Sequence, residues 1–455
     1  MLVQNSKKRK ANCKVMLIHP SNSAFVEQEG DRPPLGILYL ASVIEKIPGI
    51  EIQLLDLTIE AKVDIRYFLS TFKPQIVGIT ITTPLFPEAS RLASFIKELL
   101  PKTFVVAGGP HPSSLPEETL LSKGFDIVVR GEGEGTFKEL VECLKEGEDF
   151  RSIPGIAYID KNEFIQTADR PLIEDLDTIP FPARHLLPIH SYHMTILGIP
   201  ATPIITSRGC PYHCIFCTKA VFGHQYRTRR PEKIVEEIEM ILDAYGIRGF
   251  LFVDDTFTLD SHRTHRFCDS IIEKKMDIIW RCWTRSDCVD LYMLEKMYQA
   301  GCRIICFGVE SGDQDVLDTA RKGTTVKRNL EAIQMAQSVG LTVKAFFMVG
   351  LPGENETSIE KTLNFVDRAQ PDMADFYVAI PFPKTFLSDH VEEFGIRVLT
   401  QDWSKYYQIG LEGKAPEIVQ TSALNHQEVI QAQQKLQSCF QQLKKKKFTA
   451  KAAIF

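Results

Sequence analysis

The first third of the chain alternates short apolar runs with helical stretches. Val15–Ile18, Ile52–Leu55, Ile76–Ile81, Phe104–Ala107 and Ile127–Val129 are brief and mostly aliphatic or β-branched, so they read as buried parallel strands. Leu35–Glu45, Pro87–Leu100, Pro116–Ser122 and Gly135–Leu144 read as the helices between them. Five strands with helical crossovers predict an α/β domain over residues 14–150, a doubly wound, Rossmann-like sheet. Such sheets bind ligands at the carboxyl ends of their strands. The loops there are His19-Pro-Ser, Thr80-Ile-Thr82-Thr-Pro, Gly108-Gly109-Pro-His111-Pro and Gly131-Glu132-Gly-Glu. Their small residues let a large flat ligand approach the backbone.

Residues 151–200 carry Pro154, Pro171, Pro180, Pro182 and Pro188 with poor periodicity, which predicts a linker. A second strand–helix series begins at Pro203. Its candidate strands are Pro203–Thr206, Gly249–Val253, Ile278–Trp283, Arg303–Gly308, Thr342–Val349 and Asp375–Ile380. Pro231–Tyr245 is a clear amphipathic helix, with Ile234, Ile238, Ile241 and Leu242 at helical spacing. Six such units predict a partial (β/α)6 barrel of TIM type over residues 201–400, with its chemistry at the strand carboxyl ends. The tail, 401–455, is polar and helical in places.

Composition narrows the class of protein. A chain of 455 residues is too long for one ordinary core. A net charge of -5 gives no electrostatic case for nucleic acid. The basic runs Lys7–Lys10 and Lys444–Lys447 read as solvated tails, the first inside a disordered stretch over 1–13. No apolar run is long enough to span a membrane, and no secretory signal follows the basic start. Eleven cysteines, mostly scattered, predict a reducing, cytoplasmic setting.

Cys210-Pro-Tyr-His-Cys214-Ile-Phe216-Cys217 stands directly after the first barrel strand. Thiolates are the usual ligands of iron–sulfur clusters, and three within eight residues can wrap one corner of a cube. The fourth iron then stays open. Three other readings compete: one face of a helix, a zinc site completed by His213 or His224, and chance. Gly209 and Pro211 suit a loop better than a helix. The other eight cysteines show no second cluster spacing.

With this loop after a barrel strand, the sequence resembles the radical S-adenosylmethionine superfamily. The resemblance implies a 4Fe–4S cluster held by Cys210, Cys214 and Cys217, with S-adenosylmethionine chelating the open iron. One-electron cleavage then yields a 5′-deoxyadenosyl radical. It implies further S-adenosylmethionine contacts. Phe216 would lie near the adenine, and Asp254 and Asp255 near the methionine amino group. Arg285 would face the carboxylate, Glu310 and Ser311 the ribose or carboxylate, and Gly350 and Pro352 the adenine side. In one departure, Lys384 precedes Thr385 where relatives often have glycine.

Beside such a barrel, the first domain resembles the cobalamin-binding module of one class in that superfamily. Pro33-Pro-Leu-Gly36, Asp56 and the glycine loops carry the likeness. It implies cobalamin contacts from Thr80, Thr82, Gly108, Gly109, His111, Gly131 and Glu132. The Asp-x-His-x-x-Gly pattern of better-known modules is missing. Asp260-Ser-His262 is its nearest match and reads as coincidence, while His111 in a Pro-His-Pro turn reads as more structural than cobalt-ligating. The resemblance implies a methyltransferase acting on an unactivated carbon through methylcobalamin, served by an electron donor such as flavodoxin or ferredoxin. Its small-molecule or peptide substrate is not legible. An oxidative cyclase or other radical rearrangement shares the layout, and a non-catalytic cobalamin or redox sensor is the alternative from another class.

Overall fold

The protein is described here by a computed structural model covering residues 12–21, 32–59, 64–407 and 417–452, with side chains to residue 445. Lys7–Lys10, most of the expected disordered tail and part of the second basic run lie outside these. The chain divides into two compact units. The first takes in residues 34–172 and 179–191 with the β1 segment, and the second takes in residues 173–178 and 192 onward.

In the first unit the strands are β1 (Cys13–His19), β2 (Ile50–Asp56), β3 (Ile76–Thr80), β4 (Phe104–Gly108), β5 (Ile127–Val129), β6 (Ile156–Asp160) and β7 (Glu163–Gln166). The helices are α1 (Leu35–Ile44), α2 (Ile65–Phe72), α3 (Phe86–Leu99), α4 (Pro110–Ser114), α5 (Pro116–Leu121) and α6 (Gly133–Glu146). The sheet order is β2-β1-β3-β4-β5-β6-β7, parallel through β5. Val15, Met16, Leu17 and Ile18 are all fully buried, as strands covered on both faces require. The order reverses between β1 and β3, which opens a crevice at their carboxyl ends.

The linker expected over 151–200 is corrected. Its first part forms the antiparallel hairpin β6–β7, which extends this sheet. The two-residue turn uses Lys161 and Asn162, both left-handed at φ 49° and 68°. Such a turn normally announces itself with glycine. Here no glycine marks it, so proline punctuation dominated the pattern.

In the second unit the sheet strands are β8 (Thr195–Ile196), β9 (Ile199–Ile204), β12 (Gly249–Phe252), β13 (Ile279–Thr284), β14 (Cys302–Glu310), β15 (Thr342–Val349) and β16 (Met373–Val378). A short ribbon, β10 (Ser207–Arg208) with β11 (Arg227–Thr228), follows β9. The helices are α7 (Pro231–Tyr245), α8 (Ser261–Glu273), α9 (Leu291–Gln299), α10 (Gln314–Thr319), α11 (Val326–Val339), α12 (Glu356–Ala369) and α13 (Phe386–Asp389). Six parallel strands, β9 to β16, form an open (β/α)6 partial barrel, and β8 adds an antiparallel edge. The first strand starts earlier than the pattern indicated, because Pro200 and Pro203 lie within it.

The tail contributes β17 (Ile396–Val398), β18 (Val419–Thr421) and α14 (His426–Ala452). Helix α14 covers the edge strand: Gln433 Nε2 donates to the Phe376 carbonyl at 3.0 Å. Among the described residues no helix is long and apolar enough to cross a membrane.

An aromatic knot of Phe252, Phe257, Phe267 and Trp280 fills the core behind β12 and β13. Trp280 is fully buried and donates from Nε1 to the Ala300 carbonyl at 2.8 Å. Trp280→Ala is expected to cost about 3–5 kcal/mol. Denaturant unfolding checks this, and a loss under 1 kcal/mol, roughly the scale of a tolerated swap, would contradict it.

Candidate functional site

The three cysteines lie on an excursion that β10 and β11 close at its base. Gly209 precedes Cys210 at φ 81°, and a Cβ there would sit 2.2 Å from the Gln225 carbonyl oxygen. Only glycine lets the chain enter the loop this way. Further along, Ile215 N donates to Ala320 O at 3.1 Å, and Leu387 N donates to Ile215 O at 2.9 Å. Phe216 packs on the cluster of Val316, Ala320, Met348, Leu351 and Ala379. The loop is therefore tied to structure after β14, β15 and β16.

Cys210 is buried; Cys214 and Cys217 are half-buried. Burial pushes the Cys217 thiol up to about 11, against the pull of Lys219, and Cys210 and Cys214 raise it further. Burial likewise raises Cys214, opposed by Lys322 and Arg285. The three thiols thus sit within one another's fields, with three cations at hand. Among the described residues no three His, Cys, Asp or Glu side chains converge where a single ion would sit.

Asp254 is fully buried at the end of β12. Its carboxylate accepts from Thr206 N at 2.6 Å, from Ser207 N at 3.0 Å and from the Thr206 hydroxyl. Arg263 stands 3.9 Å away. Asp254 thereby pins the start of the cysteine loop. Its neighbour Asp255 keeps contact with solvent although protein surrounds much of its carboxylate. Burial raises its pKa and Lys219 lowers it.

Glu310 ends β14 in the left-handed region at φ 66°. It is buried and paired to Lys322 Nζ at 2.7 Å. The pairing with β15 slips between Gly308 and Glu310. Lys322, like Lys219 beside Cys217, is not picked out by the sequence analysis; it follows a short helix, away from any strand end. Ser311 follows Glu310 directly. It is fully buried, accepts from Asp313 N at 3.1 Å and faces Thr362 at 3.4 Å, so it shapes a turn. Gly350 N donates to Glu354 Oε2 at 2.5 Å, and Pro352 is buried in the same turn. Burial pushes the Glu354 carboxyl up to about 8, against the Gly350 and Leu351 N–H groups. Lys384 takes φ 60°, the conformation a glycine would adopt without strain.

Arg285 is clamped by protein partners at the end of β13. Its guanidinium binds Asp287 and the Lys322 carbonyl and reaches Cys214.

In the first unit the strand-end loops are stitched into one rim. Ile81 N donates to Gly108 O at 2.8 Å, and His111 N donates to Ile81 O at 3.2 Å. Gly131 N donates to Ser113 Oγ at 3.0 Å. Thr82 is exposed, and Thr80, Gly108, Gly109 and Gly131 are half-exposed, while Glu132 is buried at the start of α6. His111 has the structural setting that its Pro-His-Pro turn indicates. Its ring is fully buried, stacks on Phe86 at 4.2 Å and is pushed down to about 4 by burial, so it is neutral and turned into the packing. Asp260 caps α8 by accepting from Arg263 N at 2.9 Å, a local role.

Comparison with known proteins agrees with this layout. Residues 204–366 match the radical SAM superfamily, and residues 24–141 match the B12 binding domain. Over 401 residues the chain is 35% identical to an uncharacterized methyltransferase of Pyrococcus horikoshii, covering 87% of this chain and 86% of that protein. It is 31% identical over 407 residues to the anaerobic magnesium-protoporphyrin IX monomethyl ester cyclase of Rubrivivax gelatinosus, covering 86% and 72%. The radical S-adenosylmethionine methyltransferase TsrM of Kitasatospora setae, solved with cobalamin and a 4Fe–4S cluster, shares the fold. Its TM-score is 0.76 at 18% identity, over 93% of this chain and 91% of that one.

Two predictions follow from the buried charges. Lys322→Met leaves Glu310 buried and uncompensated, which costs about 3–5 kcal/mol. Adding Glu310→Gln should restore most of that stability, and a double variant no better than the single contradicts the pairing. Glu354 keeps its proton when folded up to about pH 8 but loses it near 4.5 when unfolded. Its contribution to stability is full below 4.5 and declines as pH rises to about 8. Glu354→Gln should therefore gain on the wild type across that window in denaturant titrations; parallel pH profiles would refute the assignment.

Proposed function

The chain belongs to the radical S-adenosylmethionine superfamily, in its class with a B12-binding domain, and from that premise we propose that it is a methyltransferase acting on an unactivated carbon. It is an enzyme whose cofactors are a 4Fe–4S cluster, S-adenosylmethionine and cobalamin. The observation that carries the reading is the cysteine loop at the barrel mouth in a chain that also holds a glycine-lined strand-end rim. The methyltransferase of Pyrococcus horikoshii supports it.

The residues fit the cofactors. Three thiols close enough to sense one another suit a cluster, where each thiolate takes its own iron. In this reading Cys210, Cys214 and Cys217 hold it, and Lys219, Arg285 and Lys322 balance the thiolate charge. Asp255 offers a carboxylate to an ammonium group, Phe216 an apolar face, and Glu310, Gly350 and Pro352 line the strand ends around them. Thr80, Thr82, Gly108, Gly109, Gly131 and Glu132 form the rim for a corrin ring; small residues there keep the backbone approachable. Asp254 and Ser311 act from behind by shaping loops. When bound, the cluster with S-adenosylmethionine supplies a carbon radical and cobalamin supplies the methyl group. An external one-electron donor of flavodoxin or ferredoxin type completes the reading.

The cyclase of Rubrivivax gelatinosus favours a second reading, oxidative ring closure. The two separate without knowledge of the substrate. Reduced, cobalamin-loaded protein given S-adenosylmethionine and no acceptor should release S-adenosylhomocysteine in proportion to bound cobalamin. Formation of 5′-deoxyadenosine with no S-adenosylhomocysteine would turn the assignment to the cyclase.

A further inference from the structure

Arg285 follows β13 directly and is 5% exposed. Its Nε donates to Asp287 Oδ1 at 2.9 Å. Nη2 donates to Asp287 Oδ2 at 2.8 Å and to the Lys322 carbonyl at 2.7 Å. The Tyr212 ring lies beneath the guanidinium, 3.5 Å from its carbon to the ring centroid. Three of the five donors are thereby spent, and the plane is fixed from two sides. Only Nη1 is left with protons to direct, and it reaches Cys214 Sγ at 3.9 Å. Tyr212 itself belongs to the cysteine loop, so the loop brings its own platform for the guanidinium. A side chain clamped in this way cannot swing freely toward another anion.

We propose that Arg285 is a positioning residue for the cluster, donating from Nη1 to the Cys214 thiolate and raising the cluster's reduction potential. The inference rests on Cys214 being a cluster ligand. Reduction adds one electron, delivered by an external one-electron carrier, and so adds negative charge to the cluster and its sulfurs. A hydrogen bond and a fixed positive charge at a ligating sulfur stabilise that more negative state. Arg285 neither loses a proton nor changes a covalent bond. Its effect is to widen the set of reductants able to drive the site. Among the cations near the thiols it is the one the structure clamps on both edge and face.

The test uses the full chain reconstituted with iron and sulfide in the absence of oxygen and of S-adenosylmethionine. Arg285→Lys keeps the charge but lacks the fork that bridges Asp287 and Cys214. It should assemble a cluster of unchanged iron and sulfide content, with the midpoint in an EPR-monitored redox titration shifted to more negative potential. Asp287→Asn, which loosens the clamp and leaves the guanidinium, should shift it the same way by less, and it decides the matter if Arg285→Lys assembles no cluster. An unchanged midpoint at full iron content overturns the proposal. An unchanged midpoint with weakened S-adenosylmethionine binding places Arg285 on the cofactor carboxylate instead. Cys214→Ala tests the foundation separately: a cluster of unaltered content in that variant removes Cys214 as a ligand, whatever Arg285 does.

Discussion

The cysteine loop stands on a buried carboxylate. Asp254 has no exposure to water, and a carboxylate in that position is costly unless every oxygen is satisfied. Two backbone N–H groups, one hydroxyl and the nearby Arg263 meet that demand. The arrangement works in both directions. The charge is tolerated because the loop's first residues point their donors at it, and those residues are ordered because the charge is there. Arg263 also donates to the Phe257 and Arg229 carbonyls, so the same network reaches β12, α8 and the ribbon that closes the loop. The entry angle of Cys210 depends on this anchor as much as on Gly209.

The thiols themselves are a different problem. In the protein without metal, burial holds Cys214 and Cys217 protonated. Metal ligation needs thiolates, so binding releases protons and is favoured by positive charge close by. Lys219, Lys322 and Arg285 are those charges, each pulling a thiol pKa down against burial. Two of the three lie far from the cysteines in sequence. The site's electrostatics are therefore assembled by the barrel, and the loop contributes chiefly its sulfurs.

That division explains what could be read from the chain. The strands were legible because parallel strands buried on both faces are continuous apolar runs, as in Val15–Ile18. The cysteines were legible because their spacing is local. Cys302 and Cys306, two of the eight cysteines outside the loop, are both buried in β14. Asp254 stands out in the sequence as a carboxylate at a strand end, but its anchoring of the loop is not legible there, because what it binds lies 47 and 48 residues away. Lys322 carries no local signal at all; its meaning comes from Glu310, twelve residues earlier on the other side of helix α10. The β6–β7 hairpin was hidden by a turn built from lysine and asparagine rather than glycine.

Glu310 gathers several of these themes. A glutamate in the left-handed region costs free energy, and such outliers persist only where the surroundings fix them. Here the surroundings are the ion pair with Lys322 and the slip in the β14–β15 pairing. Gly308 makes room for both: a Cβ there would stand 2.6 Å from Glu310 Oε1 and 2.8 Å from Lys322 Nζ. The strand thus gives up a regular ending so that a carboxylate and an ammonium can lie against its backbone, beside the cysteine loop. The conformation of Glu310 is thus fixed by its ion pair and by the room that Gly308 leaves, rather than by the strand ladder.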